Sequence, residues 1–490
     1  MSDPAASTSI KMTRVTWLVC IIASIGFAFD IYELLMLPLI VKPALASLGG
    51  VGENGVPLLT PGSPEYVKWA RMLFFIPSLA GGLFGLVGGY LTDILGRRRV
   101  LTFSILLYAF AACAAGFSTT LYQLLFFRCL VFIGVCVEFV AAVAWLAELF
   151  DDGHQREKVL GYTQAFSSFG GLLVAGANML AAWLAKEELV PAINGGHEAW
   201  RYTLISGVIP ALPLILIRPF LPESPAWQRK RETGTIKRAS PFDLLAPGLR
   251  RTTIVTTLIF ASSYGLALGA IQQLPQILGS PVKGHKEIAE YAKGVVEKAN
   301  EKAKADTGKP LPEGKLKAIR GNAADEAVAK VTLSQELGGL VGRFALAMAA
   351  LVVVSRRMLL RCFQLPAMFV VPALFYWISQ NLQADSLTMI KFGIFAAGFF
   401  TVAQFSFWGN YIPLVFPVHL RGTGESFAAN IGGRVIGTGA AWLTITLSES
   451  TPPDPSKIAL TGAMIAGCYA LAGAVLTQWL PEPNPETMTE

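Results

Sequence analysis

Apolar runs of roughly twenty residues recur along the whole chain, and no other feature limits its folding so strongly. A run of that length crosses about 30 Å of hydrocarbon as a helix. Twelve are counted, near 15–41, 69–92, 100–118, 121–149, 159–184, 202–220, 253–279, 334–354, 358–379, 387–413, 424–447 and 457–480. A membrane barrel would instead show alternating segments of about ten residues. Charged residues make up 15% of the chain, against about 25% in a soluble protein. The expected fold is an all-α polytopic membrane protein of twelve transmembrane helices in two pseudo-symmetric six-helix bundles.

In such a chain the net charge of +7 is read as a topology signal rather than a nucleic-acid footprint. Arg97, Arg98 and Arg99 follow the second run, and Arg156 and Lys158 follow the fourth. Seven basic residues between Arg229 and Arg251 separate the sixth and seventh. Arg356, Arg357, Arg361 and Arg421 continue the pattern, while the opposite short loops are nearly free of Lys and Arg. The positive-inside rule then places both termini in the cytoplasm. The first run is long, contains acids and shows no small-residue cleavage site, so it is not read as a removable signal. The six cysteines fall in or beside apolar runs without metal spacing.

Two stretches interrupt the apolar pattern. Residues 221–252 read as a basic cytoplasmic linker between an N-terminal bundle, 1–220, and a C-terminal bundle, 253–490. Residues 280–333 read as an external insertion. Ile288, Tyr291, Ala292, Val295, Val296 and Ala299 keep helical spacing, and "TGKPLPEG" breaks it. A helical hairpin is expected, either a solvated insertion without a role in transport or a lid or docking surface.

The halves echo each other. "GGYLTDILGRRR" (88–99) ends the second run, and "GGLVGRFALAMAALVVVSRRM" (338–358) covers the equivalent eighth. Two related halves joined by a linker suggest a repeat-built transporter with a central site. In the first motif Gly88 and Gly89 permit close helix packing. Asp93 stands beside Gly96 and three arginines, where a carboxylate can accept from Arg97, Arg98 or a helix amino end.

These motifs resemble the major facilitator superfamily over nearly the whole chain. Beside 88–99 stand "RCLVFIGVCVEFVAAVAWLAELF" (128–150), "WR" (200–201), "LPESPAW" (221–227) and "FPVHLRGTG" (416–424). "PESPAW" is similar to the branch holding sugar porters and organic-ion transporters. "FDIYE" (29–33) and "IGGRVIG" (431–437) look more like the aromatic-acid and metabolite–proton symporters. The chain departs from the pattern at Ser355, where the repeated loop motif would have its Asp, at Glu33 as the second acid, and in its long insertion.

Charges inside the membrane are costly, about 2.5–3.5 kcal/mol each on insertion scales, and demand partners or a function. Asp30 and Glu33 share a helix face. Counted inward at about 1.5 Å per residue, Asp30 and Arg128 lie at similar depth, and a contact is expected. The resemblance to proton-coupled sugar porters implies the same acid–arginine pair. Approach of the Arg would eject the proton, and its withdrawal would let a proton bind again; the alternative is a static salt bridge. Glu138 is a second proton site, a partner for Arg434, or an acid held neutral. Arg434, with Asn430 on its face, is the candidate for an anionic substrate, since guanidinium forks suit carboxylates. Gln272, Gln273 and Gln276 are expected to face a wet cavity or to bond between helices, and the resemblance makes their helix a substrate contact. Trp408 and Tyr411, flanking Asn410, are candidate lining residues or packing residues. Gly89, Asp93, Gly96, Arg97, Arg98, Glu148, Arg156 and Arg421 are expected to form a cytoplasmic gating network.

The expected function is proton-coupled symport of a small organic anion, an aromatic or other carboxylic acid, through a bacterial inner membrane. The rivals are a sugar or polyol porter and a non-transporting receptor on the same scaffold. The expected partners are a small-molecule substrate, the proton and the lipid bilayer, with no nucleic acid and a monomeric chain. No enzyme activity, metal or cofactor is expected beyond the proton as coupling ion.

Overall fold

An apolar run in lipid must satisfy its backbone internally, and the described residues are helical almost throughout. The computed structural model describes residues 14–50, 58–59, 64–150, 153–209, 212–213, 222–233, 240–280, 283–450 and 454–483. The first half comprises α1 (Arg14–Leu48), α2 (Pro64–Leu95), α3 (Arg97–Gly116), α4 (Leu121–Glu148), α5 (Gly153–Ala165), α6 (Phe169–Lys186) and α7 (Ala199–Ile205). A short α8 (Pro225–Glu232) lies in the linker. The second half comprises α9 (Arg250–Gly269), α10 (Leu274–Leu278), α11 (Lys286–Thr307), α12 (Glu313–Ala350), α13 (Arg356–Asn381) and α14 (Leu387–Val415). It ends with α15 (Arg421–Ser426), a π-helical stretch (Phe427–Gly437), α16 (Thr438–Leu447) and α17 (Pro455–Leu476).

Among the described residues, nine helical runs are long and apolar enough to span a membrane. The latter part of α12 and the path α15–α16 add two further helical runs to these nine. Part of the sixth run and of the linker lies outside the described residues.

Two helices are longer than their apolar runs. The first continues to Leu48 through Pro38 and Pro43. The eighth begins at Glu313, inside the insertion, so insertion and span form one continuous helix. With α11 it makes a hairpin. Gly308 ends α11 in the left-handed conformation, which favours glycine. The base of the hairpin is pinned to the α13–α14 loop, where His285 Nε2 meets Ser386 Oγ at 2.9 Å and Leu387 N–H donates to Glu287 at 2.8 Å.

Small residues set the packing distances, as expected where lipid removes the hydrophobic drive between helices. On α2, Gly81 and Gly88 lie against Cys136 and Val137 of α4. In the equivalent place of the second half, Gly338 and Gly342 of α12 lie against the backbone of Phe395 and Phe399 of α14. A second glycine row on α2 faces the other bundle: Gly82 meets Val435, Gly85 meets Asn430, and Gly89 meets Ser426 and Gly422.

Candidate functional site: a central charge cluster and an interbundle ion network

Asp30 and Glu33 are one turn apart on α1 and have different partners. Arg128 of α4 is fully buried and donates to the backbone oxygen of Glu33 at 3.1 Å. Its Nη1 lies 3.8 Å from Glu33 Oε2. The expected Asp30–Arg128 contact is therefore replaced by Glu33–Arg128. Counted from residue 41, Glu33 lies eight residues inward and Asp30 eleven, so Glu33 is the one nearly level with Arg128, seven residues inward on α4.

Asp30 faces Glu138 instead. The two carboxyl groups lie within hydrogen-bonding range, and neither oxygen of Glu138 receives a hydrogen bond from another protein group. Only a shared proton can join two such groups. Gly26, one turn before Asp30 on α1, leaves the space that Glu138 occupies, for a Cβ there would lie 2.6 Å from its Oε1.

Arg434 projects from the π-helical stretch and is partly exposed, with no hydrogen bond or ion pair among the described residues. Its electrostatic neighbours include Cys136, Tyr264 and Asp30. Wide π turns recur at functional sites. Tyr264 of α9 packs on the small residues of that stretch, its Cδ2 3.3 Å from a Cβ built on Gly433. The Tyr264 ring lies 5.1 Å from that of Phe260 and 4.6 Å from that of Phe405. The centre of the molecule thus joins an acid pair from the N-terminal bundle to a free guanidinium and an aromatic shelf from the C-terminal bundle.

The other expected lining residues divide. Gln272 and Gln276 are exposed beyond the break that separates α9 from α10. Gln273 is buried and donates to Leu268 O at 2.8 Å. Asn430 is buried, donates to Ser426 Oγ at 2.9 Å and fits the notch at Gly85. Trp408 and Tyr411 do not line a site. Both are fully buried in an aromatic cluster with Phe407, with Trp408 donating to Ser263 Oγ at 3.2 Å and Tyr411 to Pro481 O at 2.6 Å. Their partners come from their own bundle and its tail, so they hold the C-terminal bundle together.

At the basic-loop face, Asp93 accepts from Gly422 N–H at 3.1 Å, Thr423 N–H at 2.8 Å and Thr423 Oγ1 at 2.7 Å. Arg97 lies 3.1 Å from Asp93, 3.0 Å from Glu148, and donates to Val418 O at 2.8 Å. Arg421 Nη1 reaches Glu148 Oε1 at 3.2 Å. These contacts join α2, α3 and α4 to the start of the eleventh span, and they shut this face. Gly96 makes the turn at φ 99°. Arg98 contributes its backbone N–H, which donates to Glu223 Oε1 at 3.0 Å. The side chain of Arg156 lies outside the described residues.

Comparison with known proteins agrees with this architecture. Residues 60–241 match the family described as sugar (and other) transporter. The fold matches the proton:xylose symporter XylE, solved with 6-bromo-6-deoxy-D-glucose, at a TM-score of 0.65 and 15% identity, over 97% of this chain and 98% of that one. Its fold is the major facilitator fold. Its sequence is 25% identical to the probable 4-methylmuconolactone transporter of Cupriavidus pinatubonensis, over 93% of this chain and 88% of that protein. It is 31% identical to the 4-hydroxybenzoate transporter PcaK of Pseudomonas putida, over 35% of each chain.

The structure also shows groups that sequence reasoning missed. Glu223 accepts from Arg98 N–H at the start of α3. Glu482 accepts from Arg356 and Arg357 N–H at 2.9 and 3.1 Å at the start of α13, and from Ser355 Oγ at 2.7 Å. The sequence carries a signal for both: "LPE" closes each half, at 221–223 and 480–482. Ser355, noted as a departure, is the N-cap of α13, and the tail supplies the acid beside it. Arg343 of α12 and Glu425 of α15 are buried charges that belong with the other intramembrane charges and were not among the expected site residues.

Proposed function

We propose that this transporter is a proton-coupled symporter of small organic anions, aromatic or other carboxylic acids, with Arg434 anchoring the carboxylate and Asp30 carrying the proton. The observation that carries the reading is the partly exposed Arg434 guanidinium, without a bonded protein partner and within the electrostatic reach of Asp30. A cation held at membrane depth needs an anion. An ionised Asp30 competes with a substrate carboxylate for Arg434. A proton on the Asp30–Glu138 pair removes that competitor, so proton and anion load together. Rocking of the two bundles about this point then carries both across. The flat shelf of Tyr264, Phe260 and Phe405 suits an aromatic or unsaturated body, and the relatives named for 4-methylmuconolactone and 4-hydroxybenzoate support that substrate class. With the basic loops in the cytoplasm of a bacterial inner membrane, the closed gate makes this an outward-facing or occluded state.

Uptake into proteoliposomes, with and without an inward proton gradient, tests the reading. Wild type should accumulate benzoate or a similar acid only with the gradient. Asp30→Asn should lose accumulation yet keep exchange. Arg434→Gln should lose acid transport by at least tenfold; a sugar porter would tolerate it. Retained accumulation in Asp30→Asn refutes the proton assignment.

A further inference from the structure

Glu425 is a fully buried residue of α15. Helical spacing of three and four residues puts it on the face of Arg421 and Gly422. That face meets the opposite bundle. Gly422 N–H donates to Asp93 of α2 at 3.1 Å, and Arg421 Nη1 reaches Glu148 of α4 at 3.2 Å. The next residue, Ser426, donates its hydroxyl to the backbone oxygen of Gly85 on α2 at 2.7 Å. Glu425 is held by none of these bonds. Neither of its carboxyl oxygens has a hydrogen-bond partner among the described residues. Its electrostatic neighbours are Arg421, one turn before it, and Asp93.

The buried network balances without it. Asp93 and Glu148 supply two acids, and Arg97 and Arg421 supply two guanidinium groups that bond to them. An ionised Glu425 would be a third acid against two cations, beside Asp93 and without a donor. His419, in the turn before α15, and Asp243, in the linker turn Pro241–Leu245, lie outside this buried set. A carboxyl group buried dry and without a donor takes up a proton rather than keep its charge. Water reaches this one when α15 parts from α2 and α4, because those helices cover it.

We propose that Glu425 is a second proton-binding site, which holds its proton while the basic-loop face is shut and gives it up when that face opens. On opening the O–H bond breaks, the proton passes to water on that side, and a hydrated carboxylate remains. The shut state thus binds one proton more than the open state. Opening should therefore be favoured by rising pH, by up to about tenfold per pH unit above the ordinary Glu value of about 4.3. The proposal does not rest on Arg434 as the substrate anchor or on Asp30 as the proton carrier.

Two measurements on the full chain in detergent test it, and neither needs a substrate. Infrared difference spectra of wild type against Glu425→Gln at neutral pH should contain the C=O stretch of a protonated carboxyl. Labelling of a cysteine introduced at the basic-loop face is read as the ratio of wild type to Glu425→Gln, in which thiol chemistry cancels. That ratio should rise at least tenfold between about pH 6 and about pH 8, because the Gln variant mimics the protonated acid and stays shut. Absence of the protonated band, or a ratio constant with pH, overturns the proposal. So does a Gln variant that is open at every pH, which would make Glu425 an ionised member of the network. Glu425→Met, uncharged and of similar length, takes the place of the Gln variant if that one does not fold. Loss or retention of acid transport in Asp30→Asn or Arg434→Gln changes none of these outcomes, so the two readings fail separately.

Discussion

Glu33 and Asp30 are both acids on one face of α1, yet their surroundings set them to different tasks. Glu33 is the counter-charge of a fully buried arginine that also stacks 5.4 Å above the Phe132 ring. Removing one partner of a buried pair leaves an uncompensated charge and costs about 3–5 kcal/mol. Glu33→Gln should therefore lower thermal stability in detergent markedly. Asp30→Asn, which keeps a hydrogen-bonding group beside Glu138, should leave the melting temperature close to wild type. A Glu33→Gln variant as stable as wild type would show that the pair is not structural. The spacing of the two acids was legible in the sequence because charge inside an apolar run stands out. Their partners were not, because one turn of error in helix depth exchanges residue 30 for residue 33. Trp408 and Tyr411 were left open between lining and packing for a related reason. An aromatic near a candidate cavity has the same sequence signature as one in the core, and only the acceptors Ser263 and Pro481 distinguish them.

At the scale of elements, the twelve spans were visible as hydropathy, and α2 was visible as glycine-rich. The two glycine rows on α2 were not separable in the sequence, because consecutive glycines such as Gly81 and Gly82 point to different neighbours only once helix phase is fixed. The capping acids of α3 and α13 were hidden by distance, since Glu482 lies 126 residues from Arg356. Glu482 yields a pH prediction. Burial pushes its carboxyl up, but the Ser355 hydroxyl and the Arg357 and Arg356 amides outweigh this and hold it below the usual range. A group depressed in the folded state stabilises above its unfolded pKa, about 4.3 for Glu. That contribution is lost as pH falls through the lower folded value. Melting temperature should therefore drop as pH falls below about 4, and Glu482→Gln should flatten that part of the curve. An unchanged acid limb in the variant would rule out the clamp.

For the whole molecule, the two faces of the bundle interface are held with unequal strength. At the basic-loop face Asp93, Arg97 and Glu148 are buried and make charge-assisted bonds to the opposite bundle. At the insertion face Lys42 of α1 meets Asp325 of the hairpin at 2.6 Å, with both side chains exposed. Hydrogen bonds to charged groups contribute about 1.5–3 kcal/mol each, whereas exposed ion pairs contribute about 0–1 kcal/mol. Hydropathy and motifs name the parts of both faces, but a sequence does not specify which face is shut; that follows only from the contacts formed in one state. The inequality predicts closure at the basic-loop face as the resting condition. Asp93→Asn replaces a charged acceptor by a neutral one at Gly422 and Thr423. It should shift the balance toward opening there by roughly tenfold or more, the change that about 1.4 kcal/mol produces. Lys42→Glu should shift the opposite face by no more than about fivefold, within the range of an exposed pair, and Lys42→Glu with Asp325→Lys should restore it. Hydrogen exchange of the 420–426 amides and side-specific labelling of a cysteine introduced at each face would measure both shifts. If Lys42→Glu proves the stronger of the two, the hairpin dominates the resting state, and the insertion is the principal gate.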